Sequence, residues 1–172
     1  MGGRSGGTTA KGKRFQKGSG RMGTVAEVDR WSSTSHGDYR NVIIGSATNP
    51  TGAWDGGGSI EAFETRAGYR GEPYPFLTVS ATNALNRSDR GKGIGMGMYL
   101  TALKFAQDNN VGFRSDTTVS PLARNVWNAL AARGVNVQRD RNSAAGSHFV
   151  TILPEDVQKV DIASLNRQRR TG

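Results

Sequence analysis

A chain of 172 residues with 24 glycines, no cysteine and a formal charge of +9 has room for one domain of ordinary size plus a tail, because domains cluster at roughly 100–150 residues. The missing cysteine excludes disulfides, thiolate metal sites and a cysteine nucleophile together. No apolar run approaches the ~20 residues of a membrane span, and the start lacks the apolar centre of a signal peptide. A soluble chain with no membrane partner, not secreted by the general route, is therefore expected.

The charge is uneven. Arg4, Lys11, Lys13, Arg14, Lys17 and Arg21 all precede Gly23 with no acidic residue among them. Taking those six from 23 basic residues leaves 17 against 14 acidic ones, about +3 for the remainder. With Phe15 as its single aromatic, the segment 1–22 cannot bury enough apolar surface to offset its ordering entropy, so a disordered or extended basic arm is expected. Residues 24–31 alternate polar and apolar as in a short half-buried strand, and residues 39–47, with Val42-Ile43-Ile44, make a second. The glycine-rich stretch 52–58 then breaks the chain. Residues 59–67 set Ile60, Ala62 and Phe63 against Glu61, Glu64 and Arg66, and 68–73 reads as a hairpin turn. Residues 75–85, with Phe76-Leu77-Thr78-Val79-Ser80, form the clearest strand.

Met96, Tyr99, Leu100, Leu103, Phe105 and Ala106 recur at helical spacing up to Asn109-Asn110, whose side chains suit a helix end. These apolar residues are assigned to the core. Residues 111–114 are a short strand. Ser120 and Pro121 open a second helix as cap and first turn, with Leu122, Val126, Trp127 and Leu130 on one face and Gly134 as its end. Residues 135–137 and 148–153 give two more strands joined by the polar stretch 139–146. Pro154-Glu155-Asp156 opens a C-terminal helix running into Arg167, Arg169 and Arg170. The order is an α/β or α+β layout, divided as an arm (1–22), a domain (23–154) and a C-terminal helix with a basic tail (155–172).

Between the clearest strand and the first helix lies Arg90-Gly91-Lys92-Gly93-Ile94-Gly95. A glycine turn that opens a helix suits phosphate, because the first helical amides lack intrahelical partners and point outward with the positive end of the dipole. Glycine lets the backbone approach closely at positive φ, and Arg90 and Lys92 add charge at the rim. The spacing fits neither the nucleotide P-loop nor the dinucleotide Gly-x-Gly-x-x-Gly, since position 96 is Met.

This string resembles the [Gln/Arg]-x-x-Gly-x-[Gly/Ala] signature of the GNAT N-acetyltransferase superfamily. Ser120-Pro121-Leu122-Ala123, with Val126-Trp127, Leu130 and Arg133-Gly134, is similar to that family's second, less specific motif. The likeness spans about residues 59–153, and the phrase from Arg114 to Ser120 resembles GNAT-like proteins encoded by bacteriophages. The resemblance implies a mixed, mainly antiparallel sheet flanked by helices, and acetyl-coenzyme A as cofactor. Its pyrophosphate would lie on Arg90, Gly91, Lys92, Gly93, Ile94 and Gly95, and its pantetheine arm along Ala84, Leu85 and Asn86. It further implies a strand amide that polarises the acetyl carbonyl while an acceptor amine attacks, and a V-shaped gap between Leu85 and the strand at Val111.

Two features depart from the family. Its usual proton-donating tyrosine falls at Trp127, and a proton donor contributes ~10²–10⁴-fold to a rate. Segment 24–58 is short and glycine-rich where helices would wall the acceptor pocket. Glu61, Glu64 and Asp116 are the carboxylates available as general base, and His36 is a fourth group. Glu61 and Glu64 stand three apart on a strand and so face opposite sides, which lets at most one reach a given pocket. Two isolated histidines, His36 and His148, make no metal site.

Three functions follow as expectations: an acetyl-coenzyme A-dependent N-acetyltransferase, a non-catalytic structural subunit of a phage particle, and a nucleic-acid contact. For the last, the arm would bind DNA through charge and counterion release. The expected compartment is the cytoplasm, that of the host for a phage-encoded chain, or the virion, where the arm would meet DNA or other subunits.

Overall fold

The computed structural model describes residues 22–139 and 150–171. The six basic residues of the arm, residues 140–146 of the polar stretch, and His148 lie outside them. Strands β1 (Thr24–Val28) and β2 (Ser32–Thr34) both pair antiparallel with β3 (Gly37–Gly45), which pairs with β4 (Ser59–Thr65), itself antiparallel to β5 (Phe76–Asn83). Helix α1 (Ile94–Asp108) then crosses to β6 (Gly112–Arg114), which lies parallel to β5. After α2 (Pro121–Ala132) come β7 (Gln138–Arg139) and β8 (Val150–Ile152), followed by α3 (Pro154–Gln158) and α4 (Ile162–Thr171). The sheet order is β1-β3-β4-β5-β6-β8-β7, with β2 beside β3. This is an α+β fold on a mostly antiparallel open sheet, and none of the described helices is long and apolar enough to cross a membrane.

Period-two alternation decides which face is covered. Val42 and Ile44 of β3, Ile60 and Ala62 of β4, Leu77 and Val79 of β5, Phe113 of β6 and Ile152 of β8 belong to one buried cluster. That cluster takes in Tyr99, Leu100 and Leu103 of α1, Trp127 and Leu130 of α2, Val157 of α3, and Ile162 and Leu165 of α4. From the other face Asn41, Glu61 and Ser80 are exposed, and Ile43 and Phe63 are half-buried. Segment 24–58 contributes strands, turns and one short 3₁₀ turn to the described chain, and no α-helix.

The helix signals act as their chemistry dictates. Ser120 keeps extended backbone angles and its Oγ accepts from the Ala123 amide at 3.2 Å, with Pro121 at the first turn. Asn110, just past the end of α1, takes the left-handed conformation at φ 56°.

Three expected elements differ. Residues 24–31 are a strand that ends at Val28, and a separate hairpin strand, β2, follows. The strand expected at 135–137 begins only at Gln138, because the Val135 amide closes the end of α2 on the Leu130 carbonyl and its side chain joins the core. The single C-terminal helix is two. Gln107 Nε2 donates to the carbonyls of Val157 and Val160, at 3.1 and 3.0 Å, and Asp161 Oδ1 accepts from the Ser164 amide to restart the helix as α4.

A candidate cleft between diverging parallel strands

β5 and β6 pair over only three residues: Phe76 with Gly112, Leu77 with Phe113, and Thr78 with Arg114. At that end the two strands are fastened. The Phe76 ring covers Gly112, where a Cβ would stand 2.6 Å from it. Arg114 makes two bonds to Glu72, at 2.9 and 3.0 Å, and its guanidinium lies 4.4 Å from the Phe76 centroid.

Beyond Thr78 the two strands no longer pair, while the chain after β6 stays with β8 along its other edge. The Ser115 amide donates to the Val150 carbonyl at 2.9 Å, and the Val150 amide donates back to Ser115 Oγ at 2.8 Å. With Ser115 buried in that exchange, no described strand lies on the β6 side of residues 79–83.

A cleft of about 60 Å³ occupies the divergence, room for a few waters. Val79 and Thr82 form one wall, Ser115 and Asp116 with residues 118–120 the other, and Tyr99, Ala123 and Trp127 close the base. Val79 and Thr82 stand three apart and still face the same space because β5 carries a bulge. Ala62 opposes Val79 and Glu61 opposes Ala81, so Ser80 is extra. Trp127 is 1% exposed, its ring tilted 35° to that of Phe113 at 5.0 Å, with Tyr99 edge-on at 6.0 Å. Burial pushes the Tyr99 phenol up to about 12.

β5 runs from the cleft toward the glycine loop, and α1 starts there, so the cleft and the helix mouth share the carboxyl end of the strand. Gly91 and Gly93 take φ 78° and 76°, and Gly93 caps α1 from the left-handed region. The first turn of α1 has no acidic residue, and the amides of Ile94, Gly95 and Met96 meet no acceptor among the described residues. Arg90 and Lys92 are exposed, with Arg90 Nε donating to the Leu85 carbonyl at 3.2 Å. A Cβ on Gly95 would meet only Leu85, at an ordinary 3.7 Å.

Ala84, Leu85 and Asn86 connect the cleft wall to this loop and are held from behind by the glycines at 56–58. The Gly58 amide donates to the Ala84 carbonyl at 3.0 Å, and Asn86 Nδ2 donates to the Gly56 carbonyl at 3.2 Å. A Cβ on Gly57 would reach 2.5 Å from Asn86 and one on Gly58 2.6 Å from Leu85. The stretch read in sequence as a chain break is thus the support for the segment before the loop.

The carboxylates separate. Asp116 lines the cleft, half-buried, its Oδ1 accepting from the Thr117 amide at 2.6 Å. Glu64 is buried on the helical face and pairs with Arg40 Nε at 2.6 Å, away from the cleft lining. Glu61 is exposed on the opposite face, where its carbonyl accepts from Ser80 Oγ at 3.0 Å. His36 sits exposed in the turn between β2 and β3. Sequence reasoning missed Tyr99 as a cleft residue: its helical spacing marks it as apolar core, and only the departure of β6 from β5 opens space beside it. No protein-family model and no curated protein matches the chain.

Proposed function

We propose that this chain is a GNAT-type acyltransferase that binds acetyl-coenzyme A and passes the acetyl group to an amine. One observation carries the reading: a parallel strand pair that diverges at the same end where a glycine-capped helix presents unpaired amides. A thioester with a long arm and a pyrophosphate needs a slot beside a strand edge and an anion cradle at its end, and both lie at the carboxyl end of β5. Gly93, at φ 76°, and Gly95, with room for a Cβ, fit a loop that demands glycine at the first position and admits alanine at the second.

In this reading the amides of Ile94, Gly95 and Met96, with Arg90 and Lys92, take the pyrophosphate. The arm passes Ala84, Leu85 and Asn86 and enters between Val79–Thr82 and Ser115–Ser120. The carbonyl oxygen takes a main-chain amide on the free edge of β5. An acceptor amine attacks the carbonyl carbon, the C–S bond breaks, and the amine's proton leaves through water or Asp116, the one carboxylate on the cleft among the described residues.

Calorimetry of the full chain with coenzyme A tests the reading. Binding is expected, and Arg90→Ala weakens it. No heat at millimolar cofactor overturns it.

A second reading, a non-catalytic subunit of a phage particle on the same fold, is favoured by Trp127 as a buried ring and by the open sheet face at Asn41 and Glu61. It predicts coenzyme A binding without turnover toward any amine. A nucleic-acid role rests on the basic residues before Gly23. Removing that arm and finding the salt dependence of DNA binding unchanged would exclude it.

A further inference from the structure

We infer that the cavity between the end of α2 and the α3–α4 turn is a second binding site, one that takes a primary ammonium carried on an alkyl stem. It shares no lining residue with the cleft and stands independently of the acyltransferase reading.

The cavity holds about 260 Å³, against about 60 Å³ for the cleft. Val135, Val160 and Leu165 line it with apolar surface, and Asp156 adds a carboxylate. Asp156 is 8% exposed. A buried carboxylate has about four lone-pair positions to fill and is normally paired with a cation. Here Oδ2 accepts one bond, from Asn136 Nδ2 at 3.2 Å, and Oδ1 lies 3.9 Å from Lys159 Nζ, beyond hydrogen-bond reach. The Lys159 side chain is 73% exposed, so its ammonium stays hydrated. Asn136 and Lys159 both line the cavity, which sets the two carboxylate oxygens between lining groups. Asp156 stands in the first turn of α3, where a negative charge is favoured. That accounts for the charge and leaves the open volume beside it unexplained.

The surroundings decide the sign of the ligand. The carboxyl end of α2, the negative end of its dipole, borders the cavity at Arg133 and Gly134. The opposing positive end, that of α4, is taken by its own cap, since Asp161 Oδ1 accepts from the Ser164 amide at 3.0 Å. The cations of the lining, Arg133 and Lys159, are exposed, where water and salt screen them. What remains inside is a negative charge among apolar side chains, the complement of an ammonium on a methylene stem. A lysine side chain of a peptide and a free alkylamine share that chemistry.

The test titrates the full chain by calorimetry with n-butylamine, with Nα-acetyl-lysinamide, which carries the same stem, and with neutral 1-butanol. The amines are expected to bind with dissociation constants on the order of 1 mM, and the alcohol is not. The tighter amine names the source, free or peptide-borne. Asp156→Asn should weaken amine binding about tenfold or more, whereas an amine seated in the cleft would not feel the change. Lys159→Ala, at an exposed position that leaves the fold intact, should strengthen binding roughly twofold to fivefold, because a competing cation is gone. No binding by either amine, equal binding of the alcohol, or an affinity indifferent to Asp156→Asn overturns the site. So does an affinity that Lys159→Ala leaves unchanged or lowers. Titration with coenzyme A decides the acyltransferase reading separately.

Discussion

The two ends of the β5–β6 pair are built from adjacent residues and behave oppositely. At Phe76–Thr78 the strands are clasped by a ring over Gly112 and a two-bond Arg114–Glu72 pair. One residue later Ser115 exchanges two bonds with Val150, and the cleft opens. The edge of β5 is free beyond Thr78 because its pairing with β6 stops there, while β6 keeps β8 along its other edge. The closed end is therefore structural and the open end is the place for a ligand, although the same two strands make both.

The sharpest way to break this contrast is to remove the base of the open end. Trp127→Ala deletes a fully buried indole that holds Phe113 and Tyr99 and should cost about 3–5 kcal/mol, lowering the melting temperature by roughly 10 °C. A loss under ~1 kcal/mol in denaturant titration would mean that the cleft floor is not core. Next in size is a pH effect. The folded pKa of Tyr99 lies near 12, above its ordinary 10, so the native chain holds this proton more tightly than the unfolded one. The contribution is complete below pH 10 and is lost as pH rises to 12, by roughly 2–3 kcal/mol. Over that window wild type should lose stability that Tyr99→Phe keeps, and parallel curves would place the phenol in open solvent. The smallest effects separate the two loop glycines. Gly93→Ala should cost ~1–2 kcal/mol because its φ of 76° is left-handed, whereas Gly95→Ala should be neutral or gain up to ~1 kcal/mol and leave coenzyme A affinity unchanged. Equal destabilisation by both would remove the distinction between the cap and the first turn.

What the sequence disclosed was local. The glycine turn, the Ser120 cap, the apolar spacing of α1 and the alternation of β4 are each set within a few residues. The opposite facing of Glu61 and Glu64 follows from that alternation, and the register bears it out, Glu61 against Ile43 and Glu64 against Arg40. What stayed hidden depends on partners far along the chain. That Glu64 is bound to Arg40, that the glycines at 56–58 brace Ala84 to Asn86, and that Ser115 is bound to Val150 are contacts across 24 to 35 positions. Tyr99 escaped for the same reason, since a phenol and a phenylalanine at that spacing read alike until the space beside the hydroxyl is known.

Ser80 gives β5 an uncommon separability. As the supernumerary residue of the bulge it shifts the phase of the strand, so a chain one residue shorter at that point would still send Val79 and Thr82 to the same wall. Only the kink would go. The lining of the opening and its shape are thus encoded by different positions, and strand length could drift by one here without rewriting the surface a ligand touches.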